Sequence, residues 1–384
     1  MNKETGTLVL LGAAHSLNHS LFLVLPPLLG NISQDLGVSY QSLGLVATVT
    51  YFIYGAGALI GGPLSDTFGS VRVAQISVVI TGISSLLFLF CHDIVVFSIA
   101  MFLMALWASF YHPTANGLIA KAFQRNTGNA MGLHNAAGNL GQVATPTVAF
   151  LIGVAFDWRW SYVFFGILSV IIGLSMSRLN VDEQHVKTKL RFPLMDFLKV
   201  PNLWMILVFN MVVGFLFRGV EVFFPTFLRV GWGLSGETAA LASSLILLFG
   251  TAGQLIGGRG SDLYGSMNML LFSSVGVLFS FLLLFLAPSS FVTMLAFTLI
   301  YGITVFSQQP ASTNLVNKLT PRSLLGFSYG IMFFFSFGLG SVSAAVLGYL
   351  TDAYNISTAF SLNVGVAILL LGLTLYIYRK LGKI

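Results

Sequence analysis

Two groupings of reactive side chains stand out in a chain that is otherwise almost free of charge. Arg218 and Glu221 are the only charged residues deep inside an apolar run, and their spacing puts both on one helical face. A guanidinium there can receive the anionic group of a small molecule, and the carboxylate beside it can exchange a proton. Charges at such positions cost several kcal/mol or more, so they need a partner or a purpose. The second grouping is imidazole. His15, Asn18 and His19 share one helical face, and His112 and His134 fall in two further apolar runs. Imidazole changes charge near neutral pH, which suits proton exchange. It also binds transition metals, a reading ranked lower because no carboxylate or thiolate flanks these histidines. The plain alternatives are a self-satisfied ion pair and packed rings; four such histidines in one half of the chain tilt the balance toward function. His92 and His185 fall in polar loops and read as solvated.

These residues must be carried by membrane helices. Of 384 residues, 56% are hydrophobic and 8% charged, against about 25% charged in a soluble domain. Mean hydropathy of +0.89 and long charge-free runs place the chain in a bilayer. The net charge of +6 comes from single basic residues scattered through short loops, which argues against nucleic acid as a partner. One cysteine, Cys91, leaves no internal disulfide and no cysteine-rich metal site. No phosphate-binding loop of the Gly-x-x-x-x-Gly-Lys type is present, so ATP does not drive the work and no cofactor is expected. The first apolar run lacks a basic leader and a cleavage site and reads as a retained helix.

Apolar runs predict twelve spans near 7–30, 41–64, 73–91, 94–119, 129–153, 159–178, 203–229, 238–259, 268–287, 290–317, 324–349 and 356–379. This is an all-α membrane protein of two six-helix halves, 1–179 and 203–384, joined by a polar linker, 180–202. The piece around Phe192–Lys199 is amphipathic and is expected to lie on the membrane surface. Fifteen of the eighteen basic residues fall on one side of this layout; Arg159 and Arg229 fall on the other. That bias predicts cytoplasmic termini and linker in a plasma or inner membrane.

The halves repeat each other. Gly57–Ser70 matches Gly253–Ser266 at nine of fourteen positions without a gap. Each copy ends an apolar run in small residues, a lone acid (Asp66, Asp262) and a turn glycine (Gly69, Gly265). A second echo pairs Phe110–Lys121 with Ser307–Lys318, setting Pro113 over Pro310 and His112 over Gln309. Both prolines are expected to bend their helices. Homologous halves of this kind are typical of secondary transporters.

The run Gly62, Leu64, Asp66, Gly69, Arg72 resembles the signature between helices 2 and 3 of the major facilitator superfamily, echoed by Gly258, Asp262 and Gly265. Ser70 and Val71 stand where that signature usually has basic residues. Within the superfamily, His15-Ser-Leu-Asn18, Leu25–Leu29, Phe110–Pro113 and Gly138-Asn-Leu-Gly141 resemble the fosmidomycin-resistance efflux group, although His19 replaces an acidic residue usual there. The resemblance implies alternating access, with spans 1, 4, 5 and 7 lining a site between the halves and the Asp66 loop as a gate. It also implies a monomer. The function expected is proton-coupled efflux of a small anionic or amphipathic compound or drug. His15, Asn18, His19, His112, His134, Arg218, Glu221 and Gln309 form the substrate and proton site. Proton-coupled uptake of an organic anion is the alternative. A non-transporting membrane sensor and a metal transporter rank lower.

Overall fold

The computed structural model describes residues 3–123, 127–179 and 194–382. Within them lie twelve helices long and apolar enough to cross a membrane: α1 (Thr5–Leu36), α2 (Tyr40–Phe68), α3 (Ser70–Phe90), α4 (Ile94–Ala122), α5 (Ala130–Ala155), α6 (Trp158–Arg178), α7 (Leu203–Gly231), α8 (Gly236–Tyr264), α9 (Ser266–Leu286), α10 (Phe291–Leu319), α11 (Leu325–Ala353) and α12 (Ile356–Leu381). All twelve expected spans are present, several longer by a turn. The loop histidine His185 and most of the linker lie outside the described residues.

Local chemistry sets the helix starts. Every even-numbered helix opens on a side-chain cap: Ser39, Asp93, Asp157, Ser235, Ser290 and Asn355 each accept from a backbone N–H of the first turn. Helices α3 and α9 instead follow Gly69 and Gly265, at φ 90° and 88°, a conformation that L side chains rarely adopt.

The chain divides into two compact units, Met1–Arg191 and Phe192–Ile384. The repeat is visible inside each. In the first, α1 packs on α5, α2 on α4 and α3 on α6; in the second, α7 packs on α11, α8 on α10 and α9 on α12. A short helix, Leu194–Leu198, buries Phe197 within 5.7 Å of the Trp204 ring and 5.4 Å of the Phe327 ring, so it docks on the second unit. Leu194, Met195 and Leu198 remain exposed.

Four helices are interrupted. In α1 the first segment ends at Leu23, before Pro26 and Pro27, whose missing N–H groups leave the preceding turn without donors. In α4 regular helix stops at Ser109 and resumes at Tyr111. The carbonyls there are met by side chains: Asn18 donates to Ala108, Ser77 to Trp107 and Ser109 to Leu106, at 3.0, 2.6 and 2.6 Å. Wide π turns occupy Phe227–Gly231 at the end of α7 and Phe334–Leu339 within α11. By contrast, α10 runs helical without a break from Phe291 to Leu319 across Pro310.

Candidate functional site

The first unit gathers its histidines. His15 and His19 on α1 meet His112 on α4 and His134 on α5, with His15 at the centre. Its ring centroid lies 5.1 Å from His19, 4.8 Å from His112 and 4.4 Å from His134, on which it stacks. The His15 Nδ1 lies 3.2 Å from the His134 carbonyl. A carbonyl only accepts, so Nδ1 carries the proton and the Nε2 lone pair is left available. His19 and His112 join through their Nε2 atoms at 3.0 Å, one donating and the other accepting. His15, His19 and His112 each offer a ring nitrogen, and these atoms all lie within 4.8 Å of one another. Both ring nitrogens of His134 are buried without a hydrogen-bond partner among the described residues.

Close backbone contact makes this gathering possible. A side chain at Gly138 would overlap the His15 ring, and one at Gly141 would overlap Ser16. Ser16 donates to the Ala137 carbonyl at 2.7 Å, across the same seam. Asn18 is held from both sides, donating to Ala108 of α4 and accepting from the Tyr54 hydroxyl of α2 at 2.8 Å. Tyr54 was invisible to sequence reasoning, since nothing in its apolar run sets it apart.

The second unit holds the charged pair. Arg218 and Glu221 form an ion pair within α7, with 5% and 10% of their side chains exposed. The guanidinium is covered by two rings, 4.9 Å from the centre of Phe217 and 4.2 Å from that of Phe337. Phe337 lies in the π turn of α11, and that turn sits where Gly214 lets α7 approach the backbone of Ser336 and Gly340. A rare backbone feature thus aims an aromatic face at the buried charge. Tyr301 of α10 lies within electrostatic reach of both charges, and its hydroxyl is buried without a hydrogen-bond partner among the described residues. Gln309 accepts from Gln254 of α8 at 2.9 Å.

The repeated turns are built alike. In each, the first glycine of the Gly-Gly pair makes the close contact: Gly61 against Phe110 and Pro113, Gly257 against the Ser307 backbone. The signature positions Gly62 and Gly258 are less crowded, and nothing lies within 4 Å of a side chain added at Gly258. Asp66 meets Lys121 of α4 at 3.8 Å, while Arg72 is exposed. Lys121 also donates to Ser70 at 3.0 Å, and in the second unit Asn314 donates to Ser266 at 3.0 Å. Ser70, which departs from the signature, and its counterpart Ser266 therefore each take a hydrogen bond from a neighbouring helix.

One further cluster escaped sequence reasoning. Arg159 bonds Asp35 at 2.7 Å, Asp157 at 3.1 Å and the Cys91 carbonyl at 2.6 Å, and its guanidinium stands 4.4 Å from the centre of the Trp158 ring. Trp158 donates to Asp35 at 3.0 Å. This clasp ties the ends of α1, α3 and α6. Besides Asp157, two residues away, the Arg159 partners Cys91 and Asp35 lie 68 and 124 residues away, beyond any local signal.

Comparison with known proteins places this architecture. The family model described as Major Facilitator Superfamily matches residues 8–345 and 233–382. A probable sulfoacetate transporter of Cupriavidus necator is 24% identical over 358 residues, covering 84% of this chain and 81% of that protein. A membrane sensor protein of Escherichia coli, UhpC, is 23% identical over 372 residues, covering 87% and 83%. The fosmidomycin resistance protein of Escherichia coli is 25% identical over 275 residues, covering 69% and 66%. Among solved structures, the nucleoside transporter NupG superposes with a TM-score of 0.85 at 15% identity, covering 97% of this chain and 100% of that one.

Proposed function

The chain belongs to the Major Facilitator Superfamily and is a secondary transporter of the membrane, and from that premise we propose that it couples protons to the movement of a small organic anion. The observation that carries the reading is the buried Arg218–Glu221 pair under two aromatic rings. A cation so placed is satisfied by its carboxylate when no substrate is present. An entering anion competes for the guanidinium, and a carboxylate that loses its cation in apolar surroundings takes up a proton. One site then links both ligands, and the linkage is reciprocal. Tyr301 is suited to share the proton. The histidine cluster of the first unit supplies a second polar centre.

An anionic substrate is also supported by the relative named as a probable sulfoacetate transporter. Linkage of that sign carries both ligands together. For export, protonation of Glu221 or His19 must instead favour the state that releases the anion outside. That direction rests on the resemblance to the fosmidomycin-resistance group, one of whose members is 25% identical over 275 residues. The chain works by alternating access as a monomer in a plasma or inner membrane, with both termini in the cytoplasm as the basic residues indicate.

The test is proton movement in liposomes containing the purified chain and a pH-sensitive dye. Sulfoacetate, fosmidomycin and a panel of sugar acids are added against an imposed pH gradient. At least one anion should drive saturable proton flow, and flow opposite to the substrate marks export. Flow in the same direction marks uptake. A chain that binds these anions without moving either ligand overturns the proposal in favour of a sensor.

A further inference from the structure

We propose that His15, His19 and His112 form a binding site for a divalent transition-metal ion. The inference does not rest on the proton-coupled reading above. It starts from donor chemistry. Three imidazoles from two helices each present a ring nitrogen, all within 4.8 Å of one another. A tetrahedral zinc ion with nitrogens at about 2.0–2.1 Å holds them roughly 3.4 Å apart. The His19 and His112 Nε2 atoms, at 3.0 Å, are already close to that spacing. A separation of 4.8 Å closes to that spacing with a relative movement of about 1.4 Å, divided between two rings.

The surroundings favour the same occupant. Metal-bound histidines usually donate their second ring N–H to a carbonyl or carboxylate, which fixes the tautomer. His15 has this arrangement, with Nδ1 donating to the His134 carbonyl and Nε2 left as the ligand atom. The ring is held further by its stack on His134 and by the Gly138 backbone behind it. Metal binding would replace the bond between His19 and His112, moving one proton to Nδ1 of the ring that had donated. An all-imidazole set selects zinc, copper, nickel or cobalt over magnesium and calcium, which need oxygen. Three neutral ligands leave the ion's charge uncompensated, so the fourth position would take water, hydroxide or an anionic oxygen. Sequence spacing ranked a metal low because no acid or thiol flanks these histidines. Their convergence in space supplies the ligand set instead.

The experiment uses the full chain, purified without a polyhistidine tag, in detergent. Zinc binding is measured by calorimetry and cobalt binding by its visible ligand-field bands, with no gradient and no organic substrate. One ion should bind per chain. His19→Ala and His112→Gln should each weaken binding by roughly 100-fold, while His92→Ala, at an exposed turn, should leave it unchanged. The melting temperature of each variant shows whether it is folded. Absence of binding to the folded parent overturns the site, as does binding that survives in a folded His19→Ala, His112→Gln double variant. Anion-driven proton flow is measured separately in chelator, so either claim can fail while the other stands.

Discussion

Replacing Gly138 by alanine drives a methyl group into the His15 ring. The added carbon would stand 2.6 Å from both Cγ and Cε1 of that ring, whereas contacting carbons sit about 3.5–4.0 Å apart. The ring must retreat by about 1 Å, or α5 must move away from α1. Retreat is opposed by the stack on His134 at 4.4 Å and by the Nδ1 bond to the His134 carbonyl at 3.2 Å. Overpacking of this kind costs about 1–3 kcal/mol, and losing the hydrogen bond adds about 1 kcal/mol. The better helix propensity of alanine returns about 1 kcal/mol. The net expectation is a loss of about 2 kcal/mol. Gly132 provides the control on the same helix, since nothing lies within 4 Å of a side chain added there. Gly132→Ala should collect only the propensity gain. Thermal unfolding of the three proteins in one detergent is the assay. Gly138→Ala should melt below the parent, and Gly132→Ala at or above it. Equal melting of Gly138→Ala and the parent would refute the wedge that sets the histidine cluster.

Arg159→Ala removes the centre of the clasp between α1, α3 and α6. Because Asp35 and Asp157 are partly exposed, the loss should be about 2 kcal/mol, or roughly 4–8 °C in melting temperature; an unchanged melting point contradicts the clasp. The Asp66–Lys121 pair is partly exposed, with 49% and 35% of the two side chains open to solvent, so its stability contribution is below about 1 kcal/mol. Asp66→Asn and Lys121→Met should nevertheless slow turnover equally, the double variant being no slower than either; fully additive effects would separate the two residues. Burial pushes the Cys91 thiol up to about 12, so it stays protonated at neutral pH and the folded chain should resist maleimide. Stoichiometric labelling at pH 7 would contradict that burial.

The fold was legible because its causes are local. Apolar length gives twelve spans, and the Gly57–Ser70 repeat gives two halves, whose matching helix pairings confirm the echo. The histidines were legible as candidates by type, but their convergence depends on Gly138 and Gly141 bringing α5 onto α1. Spacing along one helix found Arg218 and Glu221. It could not find Phe337, whose ring reaches Arg218 only through a π turn, nor Tyr301, which comes from another helix. Pairing Pro113 with Pro310 in the sequence could not show that α4 is interrupted at Phe110 while α10 stays helical across its proline. The partner of Asp66 is Lys121, 55 residues on, a distance at which no local pattern could name it.

The measurement that bears most directly on the central claim is transport by Glu221→Gln in proteoliposomes, with gradient-driven flux and substrate exchange recorded on the same preparation. Glutamine keeps the shape and hydrogen-bonding capacity at this position but cannot take up and release a proton. Arg218 then stays available to an anion, so exchange of labelled substrate across the membrane should persist while accumulation driven by the pH gradient is lost. Gradient-driven accumulation at the parent's rate in Glu221→Gln would show that the pair is structural and that coupling resides elsewhere.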